Sequence, residues 1–311
     1  MKIVKLADIE KNSEPEYKNI TLTIGTFDGV HKGHRTILEH LKNIAKQNNS
    51  SSAILTFEPH PRKLLFPDET PPKLINTQEE KKNILKEIDI NLLIICNFNE
   101  NFAKLTSREF VKNILIDKLN VKTLIIGYDH KIGSDKENNP LKISTSALPY
   151  RLDVLPINAF EENGEKISST KIRNLISHNQ IEKANIFLGY NYSISGIVTS
   201  GNKIGTKIGF PTANIIPDQK EKLIPAQGVY KVLINIDNQQ FTGMANIGTR
   251  PTFSEDNQIS IEINIFDFNK DIYNKKITVS FIKFIRNEIK FSSQNELINQ
   301  LIEDKKLINV Q

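Results

Sequence analysis

The stretch TIGTFDGVHKGH, residues 23 to 34, holds Gly25, Gly29 and Gly33 at four-residue spacing and His31 and His34 three apart, just before an apolar-periodic run. Glycine-rich turns between a strand and a helix let a ligand approach the backbone, and free N–H groups at the helix start favour an anion. Phosphate fits that place, with the glycines free to take positive φ. The pattern is neither the GxGxxG dinucleotide fingerprint nor the GK[ST] P-loop. Two imidazoles facing one space supply hydrogen-bond donors for charge developing on a pentavalent phosphorus, without a covalent intermediate. Half of a metal site, or a merely polar helix start, stays open for the same histidines.

Three further groups of residues could carry chemistry. In GFPTAN, residues 209 to 214, Thr212 and Asn214 lie two apart in an extended segment, so both oxygens face one side. Hard oxygen donors suit a magnesium ion that phosphates also hold, while a proline-threonine turn entering a strand is the plainer reading. Glu262 in ISIEINIF shares its face with Ser260 and Asn264, opposite four isoleucines. Periodicity alone makes it a solvated carboxylate. In ISSTKIR, residues 167 to 173, the serine and threonine can cap a helix and Arg173 could reach a triphosphate.

These residues need elements to position them. Up to about Leu188 the chain alternates strands that are apolar throughout (NITLTIG, SAILTFEP, NLLIICNF, KTLIIG) with helical periodicity (RTILEHLKNIAKQ, TQEEKKNILKEI, SREFVKNILIDKL). That is the pattern of a doubly wound α/β domain with a parallel sheet covered on both faces. Beyond Leu188 the runs YSISGIVTSG, GVYKVLINI, FTGMANIG, ISIEINIFDF and KITVSFIKFI are alternating or β-branched, as in a closed antiparallel barrel or sandwich. QNELINQLIEDKKLI reads as a final amphipathic helix. No internal repeat or low-complexity linker intervenes.

At 311 residues two domains of ordinary size are expected. One cysteine, Cys96, excludes an intramolecular disulfide and fits a reducing, cytoplasmic setting. Neither a signal peptide nor a membrane span is expected. The net charge of +5 comes from scattered lysines, with no basic cluster interleaved with aromatics, so no nucleic-acid partner is expected. A homo-oligomer is left open.

GTFDGVHKGH resembles the HxGH signature of the nucleotidyltransferase superfamily, with His31, Gly33 and His34 in the matching positions, and ISSTKIR resembles its second signature. GFPTANI, GVYKV, MANIGTRPTF, IEINIFDF and FIRNEIKFSS follow in the order of the riboflavin kinase family. Over both halves the chain resembles the bifunctional bacterial riboflavin kinase and FAD synthetase family. The resemblance implies an HxGH-type adenylyltransferase domain over residues 1 to 187 that converts FMN to FAD with ATP. A six-stranded β-barrel kinase domain over 188 to 311 is implied to phosphorylate riboflavin.

By position, the resemblance assigns magnesium and ATP phosphates to Thr212 and Asn214, with Gly209 and Pro211 in the same stretch. Glu262 becomes the base for the riboflavin hydroxyl, and Arg286 holds the flavin end. In the first domain His31, His34, Ser169, Thr170 and Arg173 are implied to surround the ATP phosphates, with Gly25, Phe27 and Gly33 in the loop and His60 of FEPHP bordering the nucleotide. Asp129 lies in GYDHKIGSDKENN, residues 127 to 139, where the family has GxDFxFGxxRxG on the flavin side. Here His130 and Ile132 replace phenylalanines, Lys136 replaces the arginine, and the last glycine is missing. An isoleucine cannot stack on an isoalloxazine ring as an aromatic does. Thr206 also stands where an arginine is expected, beside Lys207. A kinase with a weak or inactive adenylyltransferase domain, or a non-catalytic flavin- or nucleotide-binding regulator, are the competing expectations.

Overall fold

The computed structural model describes residues 1–10, 17–127, 132–135, 140–200, 205, 208–250 and 258–310. The chain divides into two compact units: Met1–Pro72 with Gln78–Ser168, and Lys73–Thr77 with Ser169–Gln311.

The first unit is built on a six-stranded sheet of β1 (Lys2–Lys5), β2 (Ile20–Ile24), β3 (Ser51–Glu58), β4 (Leu92–Asn97), β5 (Val121–Gly127) and β6 (Asp153–Ile157). The order is β1-β4-β3-β2-β5-β6 and every pairing is parallel. All five residues of β2 are buried, as a strand covered on both faces requires. Neighbours on one strand feed opposite cores: Ala53 and Leu55 join one apolar cluster, whereas Ile54 joins another with Leu38 and Leu41. Connecting the strands are α1 (Lys32–Gln47), α2 (Arg62–Leu65), α3 (Gln78–Glu87), α4 (Glu100–Ala103), α5 (Ser107–Glu109) and α6 (Pro140–Ala147). A small hairpin pairs β7 (Glu161–Glu162) with β8 (Glu165–Lys166).

One expected helix differs in detail. SREFVKNILIDKL starts as α5 on a Thr106/Glu109 capping box, then widens into a π-helix over Phe110–Ile116. The wider turn sends Phe110, Val111 and Leu115 into the core.

The second unit holds α7 (Ser169–Ile176), α8 (Ile181–Leu188) and a closed barrel of β9 (Ser193–Thr199), β10 (Ala213–Pro217), β11 (Gly228–Ile236), β12 (Gln239–Arg250), β13 (Gln258–Ile265) and β14 (Lys276–Arg286). Going round, the order is β10-β13-β12-β11-β14-β9, closed by β9 pairing with β10, and all pairings are antiparallel. Closure leaves no open sheet edge. The C-terminal helix α9 (Gln294–Val310) packs Ile308 and Leu301 against Val229, Met244 and Phe266. The compact units part at residue 168, whereas the change in sequence pattern comes twenty residues later, after α7 and α8.

Candidate active sites

β2 ends in the middle of its sheet, with β3 on one side and β5 on the other. The order reverses there, which makes its carboxyl end a switch point where open parallel sheets bind ligands. The loop from Gly25 to Val30 leads from this point to α1 with an uncommon backbone. Of the three glycines only Gly29 takes a positive φ, 87°, while Phe27 and Val30 hold φ of 48° and 32°. Left-handed backbone at a bulky and a β-branched residue costs on the order of 1–3 kcal/mol each. Burial offsets that cost: Phe27 and Val30 sit in the α1-side core with Leu38 and Leu41. Gly33 is needed for space instead, since a Cβ there would lie 3.3 Å from the His31 ring and 3.6 Å from Phe160. At Gly25 it would meet the Phe27 ring at 3.1 Å.

His31 is the N-cap of α1, its Nδ1 accepting the His34 backbone N–H at 3.3 Å. A ring nitrogen that accepts carries no proton, so the neutral imidazole is a donor at Nε2. The His31 and His34 rings stack with centroids 3.6 Å apart and planes 15° from parallel, and Phe27 lies against His34 at 5.0 Å. Next to them Lys32 is tied to Glu162 at 2.7 Å. This arrangement gives one buried donor ring, a second ring stacked on it, and a helix start directed at the same place.

Other expected residues fall elsewhere. His60 is half-buried and its Nδ1 accepts the Arg62 N–H at 3.2 Å, a local turn at the start of α2. Ser169 and Thr170 open α7, and Arg173 Nε donates to the Lys73 carbonyl at 2.9 Å, all within the second unit. Asp129, His130, Lys136, Thr206 and Lys207 lie outside the described residues. Ile132, expected on the flavin side, is 6% exposed and belongs to the sheet core, with its carbonyl accepting from Ser107 Oγ at 2.7 Å.

In the barrel, register assembles a second site. Asn214 of β10 pairs with Glu262 of β13, and Glu262 pairs with Asn246 of β12. Residues directly opposite share a face, so the three polar side chains form a row across three strands. Glu262, expected to be solvated, is half-buried here and accepts from Thr212 Oγ1 at 3.5 Å. Asn264, two residues on, donates to the Pro211 carbonyl at 2.7 Å and so braces the segment that carries Thr212. Gly209 reaches a φ of 83° in that segment, with open space around it.

Thr212 lies between two cavities. One, of about 270 Å³, has apolar walls including Phe210, Met244 and Phe291, and presents Glu262 and Asn246. The other, of about 440 Å³, runs past Pro211 to Phe268 and Tyr273. Arg286 lines the first cavity, but its fork is engaged: Nε and Nη2 donate to Asp304 of α9 at 3.0 and 2.7 Å, and Asp304 is fully buried. Sequence reasoning missed Asn246 and Asp304. The alternation of β12 gives Asn246 a face but no partner, and Asp304 reads as one more charge on an amphipathic helix.

A stacked histidine pair at a sheet switch point, joined in one chain to a barrel with a threonine between two cavities and a carboxylate beside it, is a two-site arrangement of the kind phosphate-transfer proteins use. A family model described as FAD synthetase matches residues 13–171, and one described as riboflavin kinase matches residues 188–310. The chain is 40% identical over 294 residues to the bifunctional riboflavin kinase/FMN adenylyltransferase of Buchnera aphidicola subsp. Schizaphis graminum, with 93% of each covered. It is 35% identical over 307 residues to that of Bacillus subtilis, covering 98% of this chain and 96% of the relative. A crystal structure named a macrolide-efflux protein from Streptococcus pneumoniae matches with a TM-score of 0.87 and 30% identity, over 99% of this chain and 98% of that one. Its name disagrees with both domain models and with these relatives, which agree with one another. The chain belongs to the bifunctional riboflavin kinase/FMN adenylyltransferase family.

Proposed function

We propose that the chain makes FAD from riboflavin in two ATP-dependent steps, with residues 188–311 acting as riboflavin kinase and residues 1–187 as FMN adenylyltransferase. The observation that carries the kinase half is Thr212 standing between two cavities with Glu262 beside it. A transfer between two substrates needs such a shared boundary. The apolar cavity suits an isoalloxazine ring, and the second suits the nucleotide. The 5′-hydroxyl oxygen of riboflavin attacks the γ-phosphorus, the bond to the β-phosphate oxygen breaks, ADP leaves, and Glu262 takes the hydroxyl proton. Asn214 and Asn246 flank the carboxylate on the two neighbouring strands. Arg286, held by Asp304, stiffens the flavin end.

Thr212 and Asn214 offer two neutral hard oxygens, a set that fits magnesium only when phosphate oxygens and water complete the shell. Among the described residues there is no group of three acidic, histidine or cysteine side chains that could hold a metal; in this reading the ion arrives with ATP. When bound, magnesium neutralises charge on the transferring phosphates.

In the first half an FMN phosphate oxygen attacks the α-phosphorus of ATP, the α–β bridge breaks, and pyrophosphate leaves. Nε2 of His31 donates to the developing charge and His34 supports it from the stacked position. Ser169, Thr170 and Arg173 are ATP-phosphate contacts by resemblance, as are Gly25 and His60 toward the nucleotide and Asp129 toward the flavin. Among the described residues no helix is long and apolar enough to cross a membrane; the cytoplasmic location belongs to the proposal and is supported by a single cysteine, which allows no intramolecular disulfide. The test is a time course of the purified protein with riboflavin, ATP and magnesium, resolved by chromatography. FMN that rises and gives way to FAD with pyrophosphate supports the reading. FMN that accumulates and stops leaves a kinase alone, and flavin binding without turnover leaves a regulator.

A further inference from the structure

The loop that carries the histidines is gripped by a residue outside every motif described above. Lys81 lies in α3, three and four residues before Ile84 and Leu85, and shares their inward face. It is 6% exposed. Its Nζ donates to the Thr26 carbonyl at 2.9 Å, the last carbonyl before the left-handed run begins at Phe27. Thr56 Oγ1 reaches the same oxygen from β3 at 3.4 Å, a longer and weaker bond.

Burial pulls the Lys81 ammonium toward neutrality, while Asp28 of the loop and Glu58 of β3 hold the charge and Lys82 opposes it. Desolvating an ammonium is costly, and lysine is rarely buried without partners. The neighbouring core of Phe27, Val30 and Leu85 would accept an apolar side chain at no such cost. What the lysine provides is a grip on one carbonyl. A trans peptide points its N–H opposite its C=O, so pinning the Thr26 oxygen toward α3 turns the Phe27 N–H the other way and sets the plane from which the turn starts.

We propose that Lys81 is a positioning residue for adenylyl transfer, holding the Thr26 carbonyl so that the turn from Phe27 to Val30 aims His31 and His34. The proposal rests on the reading of those histidines as the donors of that step. It is tested in the full-length chain, where riboflavin phosphorylation in the other unit reports on folding. Lys81→Met is expected to lower kcat for FMN adenylylation about 100-fold, the effect of roughly 1 Å of misplacement, with KM for ATP within about threefold and kinase turnover unchanged. The imidazole nitrogen NMR spectrum should lose the His31 signature of a bare Nδ1 and a protonated Nε2. Lys81→Gln keeps a shorter N–H donor and should fall between the two. It becomes the deciding variant if Lys81→Met also loses kinase turnover.

Adenylylation within threefold of the parent, with kinase turnover intact and the histidine spectrum unchanged, overturns the proposal. A loss confined to KM for ATP overturns it as well, since Lys81 would then be a ligand contact. His31→Ala separates this from the underlying reading. If that variant keeps adenylylation the histidine assignment fails, whereas if only the Lys81 variants keep it the positioning role fails.

Discussion

In the barrel three polar side chains stand on adjacent strands whose register puts Asn214, Glu262 and Asn246 in one row. In the parallel-sheet unit the histidines follow a loop that is left-handed at Phe27, Gly29 and Val30. A strand places side chains by its hydrogen-bond ladder, so the barrel site needs no strain. A phosphate that must meet backbone N–H groups needs a turn, and such a turn holds only where packing and a buried lysine over-determine it. The two sites therefore differ in what disturbs them: side-chain chemistry in the barrel, and supports of the backbone in the loop.

Substitutions can break this contrast or sharpen it. His31→Ala or His34→Ala should reduce FAD formation about 1000-fold with FMN formation spared, as for loss of a donor to developing charge. Equal damage to both activities in a rate assay would erase the separation between the sites. Glu262→Gln should lower kinase turnover about 100-fold while supplied FMN is still adenylylated; normal FMN production by this variant removes Glu262 from the mechanism. Asp304→Ala leaves Arg286 without its buried partner and should cost about 3 kcal/mol in urea unfolding of the barrel, with a raised KM for riboflavin. Gly33→Ala presses a methyl against the His31 ring and should slow adenylylation about tenfold, a backbone-space effect with no counterpart at Glu262. The smallest effect concerns Cys96, whose thiol is pushed up to about 12 by burial. Because its thiolate forms only far above neutral pH, iodoacetamide at pH 8 should label it in urea and not in the native protein.

Much of the architecture was legible in the chain. All four strands expected in the first half and all five expected in the second exist, because uninterrupted apolar runs and strict alternation have few other solutions. β1, β6 and the short hairpin were not anticipated, since runs of two to five residues carry too little periodicity. The π-turns after Glu109 were invisible for a similar reason: the same apolar spacing serves an α-helix. Glu262 is the instructive case. Alternation put it on a polar face, and in an open sheet that face would be wet; barrel closure and α9 turned it into a cavity wall.

The amino-acid sequence by itself determined which residue types were available for transfer chemistry, where two fold patterns meet, and which short motifs stand at strand ends. Those are local properties, set by spacing along the chain. Only the tertiary structure decided that Asn214 and Asn246 flank Glu262, that Arg286 is bound by Asp304, that Thr212 separates two cavities, and that Lys81 reaches Thr26 across 55 residues. Each depends on strand register, barrel closure or helix packing, where distant segments compete for the same partners, and a pattern of period 2 or 3.6 names a face without naming what it meets.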